Sequence, residues 1–281
     1  MSPTSVSPAL AAALALGARH GLPTHSPEVL LDGSNLLVHL APAPVVIRLA
    51  TFTAFIRHDP SPWLRREVAL ATYLAGVGAS VVPPCDEVAA GPHLVDGWWM
   101  TVWRHVPHNP SVVASVRKLL PALDELHGAL AKYPGELPLL GPVTSDLDLA
   151  LACCVDNGLI APASAAHILA QRDELLPRVS ALPSQAQHGD AHPRNVLVAA
   201  DGQLLWNDFE DSCTGSPLWD LAAMARRDES GVAALAARDR YGSAAFDAML
   251  GLRSLQGDVW TVLHTARREG RVARGSSRLT R

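Results

Sequence analysis

The chain carries little charge, and what it carries nearly cancels. Charged residues are 18% of the 281, with 23 Lys and Arg against 27 Asp and Glu, for a net charge of −4. A field of that size and sign does not recruit nucleic acid. Cysteine is scarce: Cys85, Cys153, Cys154 and Cys213, with no Cys-x-x-Cys spacing among them. Adjacent Cys153 and Cys154 read as helix-packing residues rather than ligands, and reduced thiols fit a cytoplasmic protein. No apolar run reaches the ~18 residues that a membrane span requires. Ala9 to Leu16 is apolar, but no Lys or Arg precedes it, and Arg19 and His20 follow. It therefore reads as an N-terminal helix rather than a signal-peptide core. No internal repeat is present.

What the chain has is apolar content, 48% of residues, enough for a sizeable core in one or two domains. Pro8 to His20 reads as a helix ending at Gly21. Leu30 to Leu40 reads as strand, turn and strand, with Asp32-Gly33-Ser34-Asn35 supplying the turn chemistry. Val45 to Leu49 is a β-branched strand. Pro62 to Leu74 is helical, with Trp63, Val68, Leu70 and Leu74 as packing candidates. Gly97 to Val106 reads as a buried strand closed by Pro107. The texture then changes. Ser111 to Lys132 reads as a long helix, with Ser111 as N-cap and a kink at Pro121. Helices are expected over Ser145 to Val155, Pro162 to Leu176, Leu218 to Arg227, Gly231 to Arg240 and Ala244 to Arg268. Gly270 to Arg281 reads as a frayed basic tail. A strand-rich first part and a helix-rich second part make an α+β chain of two lobes, residues 1–106 and 107–281.

Two segments carry the chemistry. His188-Gly189-Asp190-Ala191-His192-Pro193-Arg194-Asn195 is followed by Trp206-Asn207-Asp208-Phe209-Glu210. Asp190 precedes Asn195 by five positions, and Asp208 follows Asn195 by thirteen. A protein-kinase-type phosphotransfer site needs that spacing. The first Asp faces the acceptor hydroxyl, and the Asn and second Asp hold Mg²⁺ on the phosphates of ATP. Val196-Leu197-Val198 and Leu204-Leu205-Trp206 read as short strands that brace these loops. A hard cation wants oxygen ligands, which Asn195 and Asp208 supply. A second reading stays open: His188 and His192 around Asp190 resemble a transition-metal cluster, as a metallohydrolase would use. A third is a kinase-fold protein that binds nucleotide or ligand without turnover.

His188 to Asn195 resembles the H-G-D-x-H-P-x-N loop of the aminoglycoside phosphotransferase family. Asp208-Phe209-Glu210 resembles its metal-binding segment, and Pro217-Leu218-Trp219-Asp220-Leu221-Ala222 the motif that follows. The resemblance implies a protein-kinase-like fold, with a small sheet-rich N-terminal lobe and a larger helical C-terminal lobe. It implies ATP and Mg²⁺ as cofactors, a small-molecule hydroxyl acceptor, and Asp190 as the catalytic carboxylate. His188 and His192 would brace the loop, and Asp220 would support it by accepting hydrogen bonds from loop N–H groups.

In the first lobe, Arg48 stands mid-strand in an apolar run, which is costly without a partner. Kinases place a Lys there, paired with the nucleotide phosphates and a helix Glu. Arg48 with Glu67 is the expected counterpart. The Asp32 to Asn35 turn, with Ser34, is the candidate phosphate-covering loop, although it has one glycine where kinases have three. The backbone of Arg104 and Val106 would meet the adenine edge between the lobes. The acceptor pocket is expected in the second lobe, where Asp146, Asp148, Asp156, Asp211 and Glu229 would suit a polycationic aminoglycoside.

Overall fold

The computed structural model describes residues 7–272, so residues 273–281 of the expected tail lie outside the described chain. Contacts divide the chain into two compact units. One holds the chain up to Thr72 together with Val82–Pro107; the other holds Tyr73–Val81 together with His108–Val272.

In the first unit, helix α1 (Pro8–Arg19) precedes strands β1 (Ser26–Asp32), β2 (Asn35–Ala41) and β3 (Val45–Ala50). Helices α2 (Phe52–Arg57) and α3 (Ser61–Gly76, which runs on past Thr72) follow, then β4 (His93–Val95) and β5 (Trp98–Arg104). The strands form one antiparallel sheet in the order β1-β2-β3-β5-β4. The Ser7 hydroxyl caps α1 by accepting from the Leu10 N–H at 3.3 Å. Strand alternation sorts the side chains between two faces. Leu36, Val38 and Leu40 of β2 and Val45, Ile47 and Leu49 of β3 join Met100 and Val102 of β5. All of these share one core with Ala9, Ala12, Ala13 and Leu16 of α1. The same alternation puts Arg48 on the opposite face, where it is also buried. The helical stripe of α3 is Leu64, Glu67, Leu70, Ala71 and Leu74, all buried. Trp63 and Val68, expected to pack, are only half-buried, because they stand off that stripe.

The second unit is mostly helical. Its helices are α4 (Val116–Leu130), α5 (Ser145–Asp156), α6 (Pro162–Val179), α7 (Leu218–Ala225), α8 (Val232–Tyr241) and α9 (Ser243–Arg268). Between α6 and α7 lie four short strands: β6 (Gln185–Gln187), β7 (Val196–Val198), β8 (Leu204–Trp206) and β9 (Cys213–Gly215). They pair antiparallel as β6 with β9 and β7 with β8. The long helix expected from Ser111 begins only at Val116. Asn109 competes for the preceding backbone: its side-chain oxygen takes the Ser111 N–H at 2.9 Å and its carbonyl the Val112 N–H at 3.0 Å. That closes a turn and moves the helix start to Ser115. Pro121 stands inside α4. Helix α7 is buried from Leu218 through Met224, as a helix apolar all round must be. Helix α9 packs on α5, α6, α7 and α8, and is the spine of the unit. Among the described residues no helix is long and apolar enough to cross a membrane. The architecture is α+β, as the change of texture along the sequence implies.

Candidate active site

Strand β6, held in register with β9 through Gln187 opposite Cys213, delivers the chain to His188. Gly189 then adopts φ +92°, and a Cβ there would run into the Asp211 carbonyl. Only glycine allows the loop to cross that backbone. The His188 ring is fully buried, with its centroid 4.5 Å from Phe209 and 5.4 Å from Trp206. Its Nε2 meets the Asn207 carbonyl at 3.0 Å, and its Nδ1 accepts from the Asp190 N–H at 3.3 Å. Burial lowers its pKa against the pull of Asp220 and Asp190, so the ring is a neutral brace. His192 is engaged in the same way. Its Nδ1 accepts from the Arg194 N–H at 3.1 Å, capping the 3₁₀ turn Pro193–Asn195, and its Nε2 meets Asp190 Oδ2 at 3.2 Å. All four ring nitrogens are therefore committed, three within the loop and His188 Nε2 to Asn207. Among the described residues no group of three or more His, Cys, Asp or Glu is arranged to hold a metal ion. The transition-metal reading of His188 and His192 is set aside on that geometry.

Asp190 sits at the centre. Its Oδ1 accepts from Arg253 Nη2, and its Oδ2 faces His192 Nε2 and the Asn195 amide nitrogen, the latter at 3.3 Å. Its side chain keeps 23% exposure. Burial pushes its pKa up, but Arg253 and then His192 outweigh that and hold the carboxyl well below the usual carboxylate range. Asp190 is an anion with one face open.

Asn195 ends the 3₁₀ turn. Its amide nitrogen also donates to the Asp190 carbonyl at 3.0 Å, while its Oδ1 meets no donor among the described residues. The hairpin of β7 and β8 pairs Val196 with Trp206, and the Asn207 N–H then donates to the Asn195 carbonyl at 3.0 Å. The thirteen-residue spacing is thus a closed hairpin, and it brings the Asp208 segment back to Asn195. Asp208 itself has φ +65°, in the left-handed region that Asp tolerates better than most residues.

Asp220, in the first turn of α7, is fully buried. Its Oδ2 accepts from the His188 N–H at 3.0 Å and meets His127 Nε2 at 2.9 Å, and its Oδ1 accepts from the Gly189 N–H at 2.9 Å. Burial would raise its pKa, but the His127 hydrogen bond leads the contacts that bring it below the ordinary value. The neighbouring Trp219 indole donates to the Gly189 carbonyl at 2.7 Å. Helix α7 therefore pins the loop from both ends of the Gly189 peptide.

In the first unit, Arg48 Nη1 reaches Glu67 Oε2 at 2.5 Å, with the two side chains 7% and 2% exposed. With its amide turned to satisfy its neighbours, Asn35 also accepts from Arg48 Nη2 at 2.6 Å. Ser34 adjoins this pair in sequence, and its carbonyl accepts from the Phe52 N–H at 3.0 Å at the start of α2. Arg104 closes β5: its N–H donates to the Pro83 carbonyl at 3.1 Å and its side chain pairs with Asp86. His105, whose N–H takes the Pro44 carbonyl at 2.8 Å, leads from there to Val106.

Sequence reasoning missed two partners, Arg253 and His127. Both leave a trace. His127 falls in the buried stripe of Leu119, Leu123, Leu126 and Leu130, and Arg253 falls between Met249 and Gln256 on the buried face of α9. A polar residue at a stripe position demands a partner. The acidic residues expected around the acceptor are differently placed. Asp146 is buried and Asp148 is paired with Arg172 at 2.5 Å, while Asp156 and Glu229 are exposed.

No curated protein sequence matches this chain. Solved structures do. An amicoumacin kinase, hAmiN, in complex with AMP-PNP, Ca²⁺ and Ami is similar with a TM-score of 0.63 at 13% identity, over 90% of this chain and 86% of that one. The choline kinase LicA from Streptococcus pneumoniae is similar with a TM-score of 0.61 at 16% identity, over 94% and 93%. The aminoglycoside phosphotransferase APH(3'')-Id from Streptomyces rimosus is similar with a TM-score of 0.58 at 16% identity, over 86% and 96%. At such identities these likenesses speak for the fold. The model of the phosphotransferase enzyme family (APH) matches residues 32–252, from the end of β1 to the middle of α9. The resemblance carried by three short motifs thus extends over most of the sequence, and the chain belongs to the phosphotransferase enzyme family, as a small-molecule kinase.

Proposed function

We propose that this kinase moves the γ-phosphate of ATP to a hydroxyl group of a small molecule, with Mg²⁺ as the metal. One observation carries the reading. An ionised, partly open carboxylate, Asp190, stands hydrogen-bonded to Asn195, whose amide oxygen is left facing no donor among the described residues. Asp190 would accept the hydrogen bond of the acceptor hydroxyl and aim its oxygen at the γ-phosphorus. As that oxygen–phosphorus bond forms and the bond to ADP breaks, the hydroxyl proton passes to Asp190. A loose transition state asks little of a base, so an ionised carboxylate that aims the hydroxyl suits it. Asn195 Oδ1 and the Asp208 carboxylate would hold Mg²⁺, which neutralises charge on the phosphates. Asn195 supplies a neutral oxygen and Asp208 an anionic one, the donor set a hard cation prefers. Arg48, braced by Glu67, would grip phosphate oxygens, and backbone N–H groups of the turn at Ser34 would add to that grip. The backbone of Arg104 and Val106 would meet adenine.

The test is ATP consumption by the full chain against a panel of amino alcohols, amino sugars, macrolides and sugars. EDTA should stop it and added Mg²⁺ restore it. Turnover that persists in EDTA would remove the metal role of Asn195 and Asp208. Stoichiometric Zn²⁺ or Fe²⁺ on the purified protein would revive the metallohydrolase.

A further inference from the structure

Three side-chain donors hold the Asp190 carboxylate, and they are spread unevenly over its two oxygens. Oδ2 takes two of them, His192 Nε2 at 3.2 Å and the Asn195 amide nitrogen at 3.3 Å. His192 Nδ1 accepts from the Arg194 N–H, so the ring proton facing Asp190 is on Nε2. Oδ1 takes one, Arg253 Nη2. A carboxylate offers about four lone-pair sites, shared equally between its oxygens. Among the described residues, the site left over is therefore on Oδ1, the oxygen that Arg253 grips. The Asp190 side chain is partly open, while that of Arg253 is 5% exposed. Arg253 is itself well fixed. It stands on the buried face of α9 with Met249, Leu252 and Gln256. Its Cζ lies 5.6 Å from the centroid of the Trp219 ring, within reach of a cation–π contact. The Trp219 indole donates in turn to the Gly189 carbonyl. Two side chains in contact with each other thus hold the backbone before Asp190 and the Asp190 carboxylate. Arg253 lies just past residues 32–252, the span that matches the family model, and outside the three motifs that resemble the family.

We propose that Arg253 is a positioning residue of the phosphotransfer: it turns the Asp190 carboxylate so that the acceptor hydroxyl donates to Oδ1, beside the Arg253 guanidinium. This rests on the phosphotransfer reading of Asp190. His192 and Asn195 fix Oδ2 from within the loop, and a carboxylate held at one oxygen alone can pivot about it. The second hold, from α9, stops that pivot. Its effect falls on the transfer step, because a reacting group misplaced by about 1 Å costs about 10²-fold in rate while the nucleotide binds as before.

The experiment is a double-mutant cycle in kcat on the full chain, with Arg253→Met and Asp190→Ala made singly and together. Transfer from radiolabelled ATP with Mg²⁺ is measured to choline, kanamycin, erythromycin, glucose and water, and the cycle uses the acceptor that the wild type turns over fastest. Arg253→Met should lower kcat about 10²-fold and leave the KM of ATP nearly unchanged. In the Asp190→Ala background the same change should lower kcat little further, because the group it positions is gone. Arg253→Lys should recover part of the loss, since an ammonium still donates to Oδ1. Where Arg253→Met does not fold, Arg253→Lys takes its place in the cycle: its smaller loss should vanish in the same way, and no loss at all would count against positioning. An equal loss in both backgrounds, a defect in the KM of ATP, or a Lys variant no better than the Met variant overturns the proposal. A wild type that transfers phosphate to none of these acceptors, or a rate that survives Asp190→Ala, removes the phosphotransfer reading itself, and this inference with it.

Discussion

The guanidinium of Arg253 donates through Nη2 to Oδ1 of Asp190, a residue 63 positions earlier in the chain. The contact joins the middle of α9 to the loop that carries the chemistry. It also governs ionisation: burial alone would raise the Asp190 pKa, and Arg253 leads the reversal. A carboxyl whose folded pKa is depressed contributes its stabilisation in full above the ordinary carboxylate value of about 4, and loses it as pH falls from there toward the folded value. Arg253→Met should therefore cost about 3 kcal/mol at neutral pH, the low end for breaking a buried pair, because Asp190 keeps some exposure. The gap from wild type should narrow below about pH 4. Urea unfolding at neutral pH and near pH 3.5 measures both. A gap of the same size at each pH would mean that Arg253 contributes packing alone.

Asp190→Asn should lower turnover by about 10²–10⁴-fold while leaving ATP affinity nearly intact. The carboxylate acts on the acceptor and not on the nucleotide. Steady-state rates and a nucleotide titration on the same preparation separate the two. A loss of ATP binding as large as the loss of rate would mean that the residue is misassigned.

Asp220→Ala should be more damaging to folding than any change at Asp190. It leaves the N–H groups of His188 and Gly189 without an acceptor and His127 without its carboxylate, all inside the core. Loss of one partner from a buried ionic network costs about 3–5 kcal/mol. His127→Ala removes one contact of three and should cost less. Denaturant midpoints for both variants give the order, and a reversed order would show that Asp220 is not the hub.

Arg48 and Glu67 should behave as a unit. Glu67→Ala should mimic Arg48→Ala, and the double variant should fall short of the sum by about 0.5–3 kcal/mol in stability and correspondingly in kcat/KM for ATP. Arg48→Lys should recover part of the activity, since an ammonium offers charge without the fork that meets both Glu67 and Asn35. Strict additivity would withdraw the phosphate role proposed for the pair.

Gly189→Ala should prevent proper folding of the loop. The backbone is at φ +92°, and the added methyl would overlap the Asp211 carbonyl. A thermal midpoint within a few degrees of wild type, about the shift of 1 kcal/mol, would contradict that crowding.

The site was legible in the sequence wherever its geometry is local. Asp190, Asn195 and Asp208 are tied by a turn and a hairpin, so a count of residues reports their proximity. Asp220 follows within one short helix. The α+β division was legible too, because a change from strand to helix periodicity needs no knowledge of partners. Boundaries were less so: Ser111 looks like a helix cap until Asn109 is seen taking its N–H. Strands β6 and β9 escaped notice because Gln185-Ala186-Gln187 and Cys213-Thr214-Gly215 lack the apolar run that marks β7 and β8, and each exists only through the other. His127 and Arg253 lay beyond reach for a different reason. They come to Asp220 and Asp190 across 93 and 63 residues, and only the packing of α4 and α9 around the loop decides which buried polar side chain finds which carboxylate. Charge follows the same rule. Composition determines the sum, −4, while tertiary structure determines which charges meet, because packing alone brings Arg253 of α9 onto Asp190 and His127 of α4 onto Asp220.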